Sequence, residues 1–138
     1  MNGSPVLSDR RRSTAGARVL RLLGAVLLLA IAGIHLYLWQ QGYRDIDVIG
    51  PAFLLQAVVA VGGAGLVLLA PPRLLPWAAV LGALFCVGSL GALVIATTVG
   101  LFGFVESTAA QLWWETFWAE IGGTVVLGAL AYLAARRR

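Results

Sequence analysis

The chain has 138 residues, 60% of them hydrophobic and only 12% charged, with a formal net charge of +4. A soluble domain carries roughly 25% charge and a bilayer span takes about 20 apolar residues, so this composition excludes an ordinary soluble fold and leaves room for four spans. All ten basic residues are arginine. They sit at the ends of apolar runs, where membrane topology accounts for them and nucleic acid is not needed as a partner.

The absence of lysine, with abundant Ala, Gly, Val and Leu, points to a GC-rich bacterial genome. Residues 1–17 are polar and carry Arg10, Arg11 and Arg12, so they are expected to form a disordered basic cytoplasmic tail. The rest of the chain, 18–138, is expected to be one four-span transmembrane domain, with no soluble domain. Span one covers about 19–39. Ala30-Ile31-Ala32 resembles a signal-peptide cleavage site, but the apolar run continues through Leu38, which favours an uncut span. Gly42 stops the helix.

Span two covers about 50–70, with Pro51 in its first turn and Pro71-Pro72 after its end. The few residues to Leu75 then make a tight hairpin into span three, about 76–101. Thr108 and Gln111 fit a capping box that opens span four, about 112–135. Nine of the ten arginines lie in the tail, the short second loop and the C-terminus. The positive-inside rule therefore predicts that both termini are cytoplasmic. The expected fold class is all-α: a transmembrane antiparallel four-helix bundle, multi-pass in a bacterial cytoplasmic membrane.

Helices in lipid associate through close backbone approach. Gly88, Ala92, Ala96 and Gly100 recur every four residues in span three. They are expected to form a smooth ridge, serving either packing within the bundle or a homodimer seam. Cys86 lies in the same span as a small apolar residue and has no intramolecular disulfide partner.

Polar side chains within spans are costly and are usually paired or functional. His35, Gln56, Glu120 and the pair Thr97–Thr98 stand out. At 1.5 Å per residue, His35 is roughly 7 Å deep, Gln56 roughly 9 Å and Glu120 about 6–10 Å. Each span thus contributes one polar position to a single outer layer. Small neighbours on the same faces (Ala32, Ala60, Gly123) turn these groups inward. The layer is either an interhelical hydrogen-bond knot or an outward-opening pocket for a proton or a cationic or hydroxylated ligand.

The outer loop holds Tyr43, Arg44, Asp45 and Asp47, and is expected to be a surface ion-pair cluster or a docking lid closed by Glu106 and Glu115. Specific chemistries are poorly served. One histidine is too few for bis-histidine haem, and one His with two Glu is too few for a closed zinc site. Ser89 is placed mid-membrane, away from His35, so no serine has a partner for nucleophilic catalysis. No catalytic residue, metal or cofactor is assigned.

The run Gly33-Ile34-His35-Leu36-Tyr37-Leu38-Trp39, then Gly42-Tyr43-Arg44, Ile49-Gly50-Pro51 and Phe53-Leu54-Leu55-Gln56, resembles a group of small four-helix membrane proteins of high-GC bacteria. That group has no assigned activity and lends no catalytic residue, but it implies that the segment from His35 to Gln56 is the part to test. The layout alone is similar to DoxX-like four-helix proteins. Small multidrug transporters are similar in size only: the glutamate of their first span has no counterpart here, where span one carries His35.

The expected function is a non-enzymatic accessory subunit or small-ligand-binding module. The alternatives are a dimeric proton-linked transporter and a quinone-linked oxidoreductase component. The expected partners are the lipid bilayer and a homodimer or larger membrane complex.

Overall fold

The structure is a computed structural model that describes residues 5–137, with side chains described from Thr14 onward. It is all-helical, with four long helices: α1 Pro5–Gln40, α2 Ile49–Leu69, α3 Leu75–Thr98 and α4 Trp113–Ala135. Each contains a stretch long and apolar enough to cross a membrane, the one in α1 being Thr14–Gln40. The helix of α1 reaches back through much of the segment read as a tail, and Ala17 is already buried in the core. Arg, Ala and Leu are good helix formers, so a helix anchored by packing propagates into its polar end. Met1–Ser4 lie outside the described residues.

The helix ends follow local chemistry. Gly42 takes a φ of 125° at the end of the first span and opens a short 3-10 turn, η1, over Tyr43–Asp45. Gly50, at the start of α2, then lies against η1. A Cβ there would sit 2.5 Å from the Arg44 carbonyl oxygen, so only glycine lets the turn fold down. The expected capping box is not formed. α4 begins at Trp113 behind Leu112, which is left-handed (φ 60°), and no side chain caps the helix. The Ser107 hydroxyl instead accepts from the Ala109 N–H at 3.1 Å, holding the preceding turn.

α1 packs against α2 and α4, and α4 packs against α3; the α2–α3 seam is the thinnest. The core is a column of small and branched residues, including Ala25, Leu28, Ile31, Ala60, Ala79, Cys86 and Leu127. Only 22–33% of each apolar stretch is buried within the bundle, and the outer faces carry Leu55, Val58, Leu84 and Val125. A bundle in water would hide such faces; a bundle in lipid does not need to.

Of the ridge read from span three, Ala96 alone lies on the buried line of α3. A Cβ at Gly88 would meet nothing within 4 Å. The buried line is Ala78, Ala79, Gly82, Cys86, Ser89 and Ala96. A four-residue repeat drifts around a helix of 3.6 residues per turn, whereas alternating steps of three and four stay on one face. On that line Cys86 fills the space left by Gly123, where a Cβ would come within 2.6 Å of its sulfur.

Candidate functional site: a polar layer beneath an aromatic-walled cavity

Three helices bring one polar side chain each to the middle of the bundle. The Gln56 amide donates to the Ser89 hydroxyl, and that hydroxyl donates to Glu120 Oε1. Glu120 is completely buried, and Ser89 is 8% exposed. Among the described residues, Glu120 Oε2 is the one buried side-chain oxygen or nitrogen without a hydrogen-bond partner.

Ser89 is the residue that sequence reasoning missed. Depth counted from each helix end set it below the polar layer, but the register of α3 on α4 decides otherwise. Trp113 Nε1 donates to Thr97 Oγ at 3.0 Å. Eight residues back along α3 and seven forward along α4 from that bond lie Ser89 and Glu120. The signal was present in the sequence as the position of Ser89 on the Gly82–Cys86–Ala96 face.

Thr97 and Thr98 do not join the layer. Thr97 donates to its own helix at the Leu93 carbonyl (2.8 Å) while accepting from Trp113. Thr98 is exposed and bonds back to the Val94 carbonyl at 2.8 Å. A threonine in a helix satisfies its hydroxyl in this way without an inward partner.

Above the layer is a cavity of about 100 Å³ between the four helices and the loops at this end. His35, Gln56, Ser89 and Glu120 all line it, so the structure brings together three of the residues expected in the polar layer and adds Ser89. Thr116 also lines it, its hydroxyl donating to the Leu112 carbonyl at 2.7 Å. His35 is 6% exposed, and its Nδ1 lies 2.8 Å from the Ile31 carbonyl oxygen. A carbonyl only accepts, so Nδ1 carries the hydrogen, and in the neutral ring Nε2 is left as an acceptor.

The roof is aromatic. Phe53 stands between His35 (centroids 5.0 Å apart) and Tyr43 (4.7 Å), and Tyr43 meets Phe104 edge-on at 5.9 Å. The Tyr43 hydroxyl donates to Glu106 Oε2 at 2.7 Å, tying η1 to the loop between α3 and α4. Burial, and then the Glu106 carboxylate as both partner and charge, hold the Tyr43 phenol above its ordinary range.

Of the loop residues expected to form an ion-pair cluster or a docking lid, Tyr43 and Glu106 are the ones that line the cavity. Arg44 and Asp45 form an exposed ion pair at 3.8 Å, Asp47 and Glu115 are exposed, and none of the four lines the cavity. Among the described residues, no group of three or more His, Cys, Asp or Glu could hold a metal ion. No known family, curated protein or solved structure matches the chain.

The hydrogen bonds determine what the cavity can take. The hydroxyls of Tyr43, Ser89 and Thr116 and the indole of Trp113 all donate to protein oxygens. Glu120 Oε2, the Nε2 of a neutral His35 ring and Gln56 Oε1 remain as acceptors, and the second amide N–H of Gln56 and that of Gln111 remain as donors. No arginine lines the wall, and two carboxylates do. Such a site suits a small donor, and a cation above a neutral molecule, because aromatic faces and a carboxylate both attract positive charge.

Proposed function

We propose that this chain is a small-ligand-binding module of a bacterial cytoplasmic membrane. In this reading its four spans run antiparallel, with both termini on the cytoplasmic side, and the cavity opens toward the outer face. The arginine distribution supports the orientation. The opposite progress of the Thr97–Trp113 and Ser89–Glu120 bonds along α3 and α4 supports the antiparallel pairing.

The observation that carries the binding reading is the unpartnered Glu120 Oε2 in a cavity whose hydroxyl donors are already spent. Leaving a carboxylate oxygen desolvated and unpaired is costly, and a donor or cation arriving there offsets that cost. The volume, below the ~150 Å³ that admits benzene, limits the ligand to a few heavy atoms. A protonated small amine fits both conditions.

The test is a thermal-shift and calorimetric titration of the full chain in mild detergent with methylammonium to butylammonium, against the matching alcohols. The ammonium series is expected to bind at least tenfold more tightly than the alcohols, and Glu120→Gln to abolish the difference. Equal binding of both series, or ammonium binding that survives Glu120→Gln, would overturn the proposal.

One observation favours transport as a second reading. A crevice of about 320 Å³ lies between α2 and α3, lined by Gly62, Gly63, Leu66, Gly82 and Phe85 among others. Along both helices it lies on the other side of Gln56 and Ser89 from the outer cavity. The polar layer thus separates two spaces, the arrangement that a proton-linked carrier uses. Proteoliposomes containing a pH-sensitive dye decide between the readings: free amine crossing the lipid shifts the dye at a baseline rate set by protein-free liposomes, which a carrier exceeds and a binding module does not.

A further inference from the structure

At the opposite end of the bundle is a second space, a crevice of about 640 Å³ built from α1, the α2–α3 turn and the end of α4. Four arginines line it: Arg18, Arg21, Arg73 and Arg137. The carboxylates with described side chains are all elsewhere: Asp45, Asp47, Glu106 and Glu115 in or beside the loops above the cavity, and Glu120 in the polar layer. Asp9 lies in the part of α1 whose side chains are not described.

The four arginines do different work. Arg21 is structural: its Nε donates to the Val67 carbonyl at 2.7 Å and its Nη2 to the Ala70 carbonyl at 2.5 Å. It caps the last turn of α2, where carbonyls lack helical partners, and this anchors one wall of the crevice. Arg18, one turn earlier on the same helix, and Arg137 are exposed and make no hydrogen bond or ion pair among the described residues. The floor between them is apolar: Ala17, Leu75 and Ala134 are all buried there.

We propose that this crevice binds the headgroup of an anionic phospholipid, with Arg18 and Arg137 holding the phosphate and the small apolar floor receiving the glycerol end of the acyl chains. Guanidinium groups match phosphate in bidentate geometry. Basic pockets between spans at the arginine-rich end are where anionic headgroups are held. A soluble anion would use the arginines alone. The apolar floor beside them, at the level where the spans leave the bilayer, adds a reason to prefer a lipid. The proposal requires that the bundle cross a bilayer, and does not depend on what the outer cavity binds.

The test titrates the full chain in mild detergent with dioctanoyl-phosphatidylglycerol, dioctanoyl-phosphatidylcholine and inorganic phosphate, read by native mass spectrometry and thermal shift. Phosphatidylglycerol is expected to give a one-to-one adduct and a raised melting temperature, and the other two to give neither. A surface charge beside a lipid contributes about fivefold, so Arg18→Gln with Arg137→Gln lowers phosphatidylglycerol affinity by roughly 30-fold. Arg18→Lys with Arg137→Lys keeps the charge but not the bidentate fork and so recovers only part of that loss, and added salt weakens binding. In lipid-free detergent both double variants should melt with the parent chain, which separates loss of the site from loss of the fold. Equal binding of phosphatidylcholine, phosphate that competes as well as the lipid, or an unchanged affinity in the glutamine variant each overturn the proposal.

Discussion

Replacing Ser89 by alanine tests the centre of the bundle. The hydroxyl accepts from Gln56 and donates to Glu120, so its loss breaks two interhelical bonds and leaves Glu120 with both oxygens unpaired. Side-chain hydrogen bonds in membranes average about 0.6 kcal/mol and reach about 1.7. Two of them amount to about 1.2 kcal/mol at the mean, and leaving a buried polar group unpaired costs about 1–3 kcal/mol. The expected destabilisation is therefore about 1–3 kcal/mol, measured by reversible unfolding in mixed detergent micelles. The triple variant Gln56→Leu, Ser89→Ala, Glu120→Met removes every member of the chain and leaves nothing to satisfy. It should lose less stability than Ser89→Ala alone. A single variant within about 0.3 kcal/mol of the parent, or a triple variant that costs more than the single, would refute the reasoning.

Glycine positions should divide sharply. Gly50→Ala drives a methyl into the Arg44 backbone carbonyl, and should cost about 1–3 kcal/mol and open the roof, seen as faster hydrogen exchange over Tyr43–Asp45. Gly88→Ala meets nothing and should be neutral, or stabilising by up to about 1 kcal/mol in the same unfolding assay. The latch at Tyr43 should give an alkaline dependence. Its phenol is held above the ordinary 10.0 by burial and by Glu106, so its contribution is complete below pH 10 and is lost as pH rises through the folded-state value. Tyr43→Phe should flatten that loss in melts run between pH 8 and 12, at a cost near neutral pH of about 1 kcal/mol for the missing hydrogen bond.

Much of the candidate site was legible from local pattern. His35, Gln56 and Glu120 are rare polar residues in apolar helices, and the small residues beside them marked inward faces, so their convergence on one cavity could be read from spacing alone. Thr97 and Thr98 carried the same polar signal and do not belong to the layer. A helical hydroxyl has a ready partner four residues back, so its polarity says nothing about where it points. The lid divided in the same way. Tyr43 and Glu106 meet only because Gly42 and Gly50 fold η1 down over the bundle, whereas the charges around them stay in solvent.

Four apolar helices, their approximate ends and the uneven distribution of arginine are all legible in the amino-acid sequence. Those features follow from solvent preference and backbone chemistry, which act residue by residue. The packing of the helices sets how far α3 slides along α4. That register places Ser89 beside Glu120 and leaves Thr97 to Trp113. It also decided which glycines are crowded and which are open, and it assembled the basic crevice from residues more than a hundred positions apart in the chain. In an apolar helix one small face is as plausible as the next, and the choice between them comes from fitting side chains such as Cys86 into the spaces, such as that at Gly123, on the helix opposite.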